Sequence, residues 1–208
     1  MSRGRKLRRL SPGAVTAATL SMWLLPADAS AHLVNTGFGP FYDGLYHLFL
    51  TPEDLVPVVA LALLAGLRGP RFGRWSLFVL TAAWLAGGVL GLQQQTEVSL
   101  PLLTAVTLLT LGALVAADRA LPLPVVTALG LVLGLLQGYL NGTAMAQAGL
   151  GVTGLIGIGC AVFAIVALVA AFVVSLKVPW ARIAVRVAGS WIAAVGILLL
   201  GWTFRGGS

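Results

Sequence analysis

Charged residues are scarce in this chain: they make up 9% of its 208 residues, whereas apolar residues make up 59%. Soluble globular proteins carry roughly 25% charged residues. A surface this poor in charge cannot face water on all sides, so most of the folded chain must face lipid. The composition therefore excludes a soluble protein and predicts an all-α polytopic membrane protein.

Cysteine and histidine are scarcer still, with one cysteine, Cys160, and two histidines, His32 and His47. A single cysteine can form neither a disulfide framework nor a CxxC metal or redox site. Cys160 lies in an apolar stretch and is expected to be a small buried residue. No serine–histidine, cysteine–histidine or paired-carboxylate arrangement falls within one site, so we do not expect an enzyme.

Basic residues are in excess, and the chain carries a net charge of +7. Five of the thirteen basic residues precede the first apolar run, and most of the others lie between later runs. Basic residues in such positions orient membrane helices, and they do not form a nucleic-acid-binding patch. The expected partner is the lipid bilayer, and no nucleic-acid partner is expected.

Residues 1–31 have the pattern of a cleavable signal peptide. A basic start is followed by an apolar stretch, Pro26 and the small-residue segment ADASA at residues 27–31. Two overlapping A-x-A sites predict that the mature chain begins at Ser30 or His32, with its amino group outside the membrane. Retention of this segment as a seventh helix is the alternative.

Six later apolar segments are long enough to span a membrane. Residues 32–52 are expected to form an extracytoplasmic segment with a short interfacial helix, and residues 53–208 a six-helix transmembrane domain. With the mature N-terminus outside, seven of the eight later basic residues fall inside, which fits the positive-inside rule for a bacterial inner-membrane protein. The predicted spans are residues 53–68, 73–92, 100–117, 122–140, 150–176 and 181–203.

Glycines recur at a fixed spacing in three of these spans and predict a glycine-packed bundle, because small residues let helix backbones approach closely. The repeats are Gly130, Gly134, Gly138 and Gly142 in the fourth span, Gly87 and Gly91 in the second, and Gly151, Gly154 and Gly157 in the fifth.

The polar residues that can carry chemistry lie on the predicted outer side. Asp43 and His47 are four residues apart and would share one face of a helix over residues 41–50, where a carboxylate and an imidazole can hold a divalent transition metal ion such as nickel, cobalt or copper. His32 can complete the metal site, because cleavage before it adds a terminal amine and cleavage before Ser30 makes it the third residue of a copper- or nickel-binding terminus. The alternative is a solvated His32 and a hydrogen-bonded Asp43–His47 pair.

Gln137 and Asn141 are also four residues apart, at the outer end of the fourth span beside the glycine repeat. Amides are poor transition-metal ligands, so hydrogen bonds between helices are their expected role. They can also line a polar path towards the metal site.

Three segments resemble the HupE/UreJ family: residues 35–47 (NTGFGPFYDGLYH), residues 61–68 (LALLAGLR) and residues 186–196 (RVAGSWIAAVG). The resemblance implies a small polytopic protein with a signal peptide and six spans. It also implies a nickel or cobalt permease associated with hydrogenase or urease gene clusters, and maturation proteins of those enzymes as partners. Asp43 matches the aspartate of the family's His-Pro…Asp-His motif.

The chain departs from the family pattern at the histidines. His47 is displaced from its usual place beside the aspartate, and Gly39-Pro40 replaces His-Pro. Residues 137–142 (QGYLNG) keep both glycines of a His-Gly…His-Gly element but carry amides in place of both histidines, and the glutamate that usually follows is absent. Amides in place of imidazoles weaken the affinity for a divalent transition metal.

Three functions remain open on these grounds. The first is a metal permease with an outer capture site at His32, Asp43 and His47 and a path past Gln137 and Asn141. The second is a membrane accessory or chaperone protein that binds metal without transporting it, which the missing intramembrane ligands favour. The third is a structural membrane subunit that binds no metal and associates through its glycine faces.

Overall fold

The computed structural model describes residues 36–94, 96 and 100–205, and within them all regular secondary structure is helical. The predicted signal peptide and His32 lie outside the described residues. The helices are α1 (Pro40–Leu50), α2 (Pro52–Arg68), α3 (Pro70–Gly91), α4 (Pro101–Ala117), α5 (Leu123–Gln147), α6 (Gly151–Ser175) and α7 (Pro179–Arg205).

Proline stands at the first or second position of every helix in this set except α6. The first N–H groups of a helix have no acceptor within the helix, so proline loses nothing there and its fixed φ favours the helical turn. None of the N-cap residues of α1 to α6 makes a side-chain hydrogen bond to the helix start. Proline therefore marks these starts in place of a capping side chain.

Each of the six predicted spans corresponds to one helix, and the helix expected over residues 41–50 is α1. Four helices, α3, α5, α6 and α7, are long and apolar enough to cross a membrane alone. Helices α1 and α2 qualify only as a pair, bent by 74° at the break between them. Helix α4 has 17 residues, at the short end of the spanning range of roughly 17–25. The chain is thus a polytopic helical protein with four to five candidate spans, and a sixth span by α4 stays a prediction.

Helix α5 continues to Gln147, seven residues beyond the predicted end of the fourth span at 140. The predicted span ended at residue 140 because the sequence becomes more polar after it. Instead Asn141, Thr143 and Met145 are buried, so packing against neighbouring helices extends α5 where its composition becomes polar.

Helix α2 is the centre of the bundle and contacts each of the other six described helices. Every residue from Ala60 to Leu67 is buried, so this helix has no lipid-facing side over two turns. A helix that is apolar on all sides is typical of a protein core or a membrane span, and here other helices surround it. The bundle is therefore built around α2.

Glycines bring α3 and α5 into backbone contact, as the repeats predicted. A side chain at Gly138 would overlap the carbonyl of Trp84, and one at Gly142 would overlap the carbonyl of Gly88. Gly87 of α3 meets the carbonyl of Leu135 in the same way. Gly130 is the exception within the repeat, because the nearest atom to a Cβ there is a methyl group of Leu61 at 3.4 Å.

Two further helix pairs use glycine in the same way. Gly44 of α1 meets the carbonyl of Gly154 on α6, and Gly157 of α6 meets the carbonyl of Phe41. Gly112 of α4 packs on α7, a contact that the sequence repeats did not indicate.

Two expectations for α6 were wrong. Gly151 does not pack on another helix: it has a φ of +55° and no atom within 4 Å of a Cβ, so it belongs to the turn that starts α6. Cys160 is exposed rather than buried, because it lies on the face of α6 that points away from its helix neighbours. An apolar residue on that face is stable when lipid surrounds it.

Arginine side chains tie three helix ends together at the end of the bundle opposite His47. Arg68 at the end of α2 pairs with Asp118, and Arg182 Nη2 of α7 lies 3.5 Å from Asp118 Oδ2. Arg182 also donates to the carbonyl of Leu67 at 3.2 Å, and Arg186 donates to the carbonyl of Ala116 at 3.0 Å. These bonds supply hydrogen-bond donors to carbonyl oxygens that have no N–H partner at a helix C-terminus. The positive charges also interact favourably with the negative end of each helix dipole.

Gly138→Ala should destabilise the protein by about 1–3 kcal/mol, because the added methyl group forces α3 and α5 apart. Gly130→Ala is the matched control on the same helix and should leave the melting temperature unchanged or raise it, since alanine favours the helix. Thermal unfolding of both variants in detergent measures the difference. Equal melting temperatures would contradict the close α3–α5 contact.

Asp118→Asn should lower stability by about 1–3 kcal/mol, because it leaves Arg68, which is largely buried, without its counter-charge. Asparagine adopts the left-handed backbone of Asp118 (φ 47°) readily, so the substitution tests the charge alone. Arg119→Gln, which removes an exposed charge next to it, is the control for thermal unfolding. A melting temperature that does not change with Asp118→Asn would show that the arginine pairs contribute nothing.

Candidate functional site

The break between α1 and α2 brings polar side chains into the interior of the bundle. Thr51 separates the two helices, and its hydroxyl donates to the carbonyl of His47 at 2.8 Å. The 74° bend turns the end of α1 over the start of α2. His47 from the last turn of α1 and Asp54 from the first turn of α2 therefore face each other.

The His47–Asp54 pair is the core of the candidate site. Nε2 of His47 lies 3.7 Å from Oδ2 of Asp54, and the two residues are only 9% and 6% exposed. Nδ1 of His47 lies 3.5 Å from the Thr51 hydroxyl oxygen, whose proton is already given to the His47 carbonyl. The imidazole therefore lies between a hydroxyl oxygen near Nδ1 and a carboxylate oxygen near Nε2.

Helix α5 supplies the amides of the site. Gln137 Nε2 donates to the carbonyl of Glu53 at 3.0 Å, which joins α5 to the start of α2 as an interhelical hydrogen bond. Asn141 Nδ2 donates to the carbonyl of Gln137 at 2.9 Å within its own helix. The role predicted for Gln137 is therefore confirmed, and Asn141 uses its donor differently.

The oxygen of Asn141 is the least satisfied polar atom near the pair. Asn141 is 2% exposed, and its side chain lies within hydrogen-bonding reach of both His47 and Asp54. Its Oδ1 nevertheless accepts no hydrogen bond of good geometry. A buried carbonyl oxygen without a donor is costly unless a cation or a proton donor can approach it.

Asp43 has a different environment from His47. Its Oδ1 accepts hydrogen bonds from the backbone N–H of Thr36 at 2.7 Å and from the Thr36 hydroxyl at 2.6 Å. Asp43 is buried, and these bonds fix the segment before α1 against the helix. Oδ2 is the carboxylate oxygen that this contact leaves for another ligand.

The pair has the geometry to share one cation. Metal–nitrogen and metal–oxygen bonds to such ligands are about 2.0–2.2 Å, so one ion can bridge donors up to about 4 Å apart. The 3.7 Å separation of His47 Nε2 and Asp54 Oδ2 lies within that limit. A proton can occupy the same position, which would make the two side chains an ion pair.

The structure does not assemble a full ligand set from the part of the chain that it describes. Within residues 36–94, 96 and 100–205, no group of three or more His, Cys, Asp or Glu side chains could hold a metal ion. His32, the third predicted ligand, lies outside these residues, so the predicted set of His32, Asp43 and His47 stays a prediction.

Asp54 is a site residue that the sequence patterns did not single out. The signal for Asp54 was its position, as an acidic residue in the first turn of a mostly apolar helix that begins with proline. Sequence spacing links His47 to Asp43, four residues earlier, whereas the bend between α1 and α2 links it to Asp54, seven residues later.

By its fold and site, the chain is a glycine-packed polytopic membrane protein with a buried polar site at one end. The family model described as HupE / UreJ protein matches residues 20–199, and the chain therefore belongs to the HupE/UreJ family. No curated protein and no solved structure matches it significantly. The family comprises membrane permease and accessory proteins linked to nickel or cobalt uptake and to hydrogenase and urease maturation, and it is not a family of enzymes.

Thr36→Val should lower stability by about 1–3 kcal/mol, because it removes a hydrogen bond to the buried carboxylate of Asp43. Asp43→Ala should cost at least as much, and the two effects should not add when combined, since both remove one interaction. Thr104→Val is the control, because the Thr104 hydroxyl reaches only a carbonyl of its own helix, at 3.5 Å. Additive losses in thermal unfolding would exclude a structural role for the Thr36–Asp43 contact.

Proposed function

We propose that this protein is a membrane permease for a divalent transition metal ion (nickel, cobalt or copper), with its capture site on the extracytoplasmic side. Membership of the HupE/UreJ family supports the class of function. The observation that carries the proposal is the buried His47–Asp54 pair, in which His47 Nε2 and Asp54 Oδ2 face each other at 3.7 Å.

The capture site consists of His32, Asp43 and His47, and Asp54 extends it inward. An ion bound to His47 passes to the position between His47 and Asp54 without leaving the imidazole. Asn141 offers its oxygen next to that position, and Gln137 lies one turn before Asn141 on α5. Retaining one ligand during each step lowers the cost of removing the ion from water.

A non-transporting accessory protein is the second candidate. The described residues bring no three strong ligands together, and a protein that releases metal to a partner needs only a site at its surface. The two proposals differ in whether metal reaches the other side of the membrane, so binding and transport must be measured separately.

Purified mature protein should bind nickel, cobalt or copper in a ratio close to one ion per chain, measured by mass spectrometry of the metal after loading. His47→Ala and Asp54→Asn should reduce this binding strongly, because each removes one of the two facing donors. Glu53→Gln is the matched control, since Glu53 is exposed and gives the site only its backbone carbonyl. His32→Ala with N-terminal sequencing tests the third ligand. Metal binding that survives both His47→Ala and Asp54→Asn would overturn the site.

Uptake of radioactive metal into vesicles separates the permease from the accessory protein. Vesicles containing the wild-type protein should accumulate metal, and those containing His47→Ala or Asp54→Asn should not, with Glu53→Gln again as the control. Binding without accumulation would identify the accessory protein. Absence of both metal binding and metal accumulation would favour a structural membrane subunit that binds no metal.

A further inference from the structure

A groove opens between α3 and α6 near the arginine-rich end of the bundle. Its volume is about 340 Å³, and its lining includes Gly73, Arg74 and Leu77 of α3 and Ala167, Ala170 and Ala171 of α6. Apart from the arginine, these side chains are apolar and mostly small. The groove is thus a narrow apolar slot with one charged residue.

The slot is a local gap in an otherwise well-packed helix pair. Towards the His47 end, Leu85 of α3 covers Gly159 of α6, and Leu155 of α6 covers Gly88 of α3. Just beyond Leu77, the rings of Phe78 and Phe163 meet edge to face, with centroids 6.1 Å apart. Near Arg74, by contrast, glycine and alanine face each other and leave the space unfilled.

The charge around the slot has one sign. Arg74 is exposed, and Arg71 lies one turn before it on α3. Neither α3 nor α6 contains an acidic residue, and among the described side chains no carboxylate forms an ion pair with Arg74. Arg68 and Arg182 lie at the same end, and both pair with Asp118.

The residues beside the slot are of the kind that lies where lipid headgroups meet the hydrocarbon. Trp75, next to Arg74, is half-exposed, and tryptophan is enriched at membrane interfaces. The positive-inside rule assigns this end to the cytoplasmic side. Basic pockets between transmembrane helices on that side favour anionic headgroups.

We infer that the α3–α6 slot binds an anionic phospholipid of the cytoplasmic leaflet. One acyl chain fills the apolar slot between Gly73 and Ala171, and the phosphate group pairs with Arg74. The lipid supplies the packing that the small side chains of α3 and α6 leave out, so bound lipid should also stabilise the two helices against separation. This inference does not depend on metal transport.

Native mass spectrometry of the delipidated full chain tests the inference with phosphatidylglycerol and phosphatidylcholine of identical acyl chains. Wild-type protein should retain phosphatidylglycerol several-fold better than phosphatidylcholine, and phosphatidylglycerol should raise its melting temperature. Arg74→Gln should reduce retention of phosphatidylglycerol to the level of phosphatidylcholine. Arg119→Gln, which removes an exposed charge at the same end outside the slot, should behave like the wild type.

Ala171→Leu tests the slot separately from the charge, because the larger side chain fills the space while Arg74 stays in place. Ala171 is exposed, so this substitution does not disturb the core. It should abolish retention of both lipids at the slot. The inference is overturned if Arg74→Gln and Arg119→Gln weaken retention equally, if Ala171→Leu has no effect, or if inorganic phosphate alone displaces the lipid.

Discussion

Close approach of helix backbones at glycine is the constraint on which the rest of this structure depends. Lipid is as apolar as leucine, so burial of apolar side chains alone gives little reason for helices to associate in a membrane. Contact between backbones supplies van der Waals attraction instead. In this chain that contact occurs in three helix pairs, α1 with α6, α3 with α5 and α4 with α7, and α2 lies among them.

The same glycine contacts position the polar site. Gly44 and Gly157 hold α1 against α6, and this places His47 over the start of α2. Gly138 and Gly142 hold α5 against α3, and the residues just before them, Gln137 and Asn141, turn towards α2. Glycines that pack on α3 thus alternate along α5 with the amides Gln137 and Asn141. A change in the separation of α3 and α5 would therefore also change the site.

The fold was largely predictable from the sequence, whereas the site was predictable only in part. Apolar runs of spanning length predicted the helices, because hydropathy is a local signal. Gln137, Asn141 and His47 stood out as rare polar residues in an apolar chain. The pairing of His47 with Asp54 depends on the bend at Thr51, and the exposure of Cys160 depends on which face of α6 its neighbours cover. Neither is encoded in spacing along one helix.

The resemblance to the family implies histidines where this chain has Gln137 and Asn141, so the proposed site has few strong ligands. An amide oxygen binds a transition metal weakly, so His47 and Asp54 would supply most of the affinity in the proposed site. Conduction requires binding that is strong enough to admit an ion and weak enough to release it. Few strong ligands favour release, and Asn141, whose buried oxygen lacks a good donor, would gain most from a passing cation. Sparse ligation is therefore compatible with a permease and less so with a protein that stores its metal.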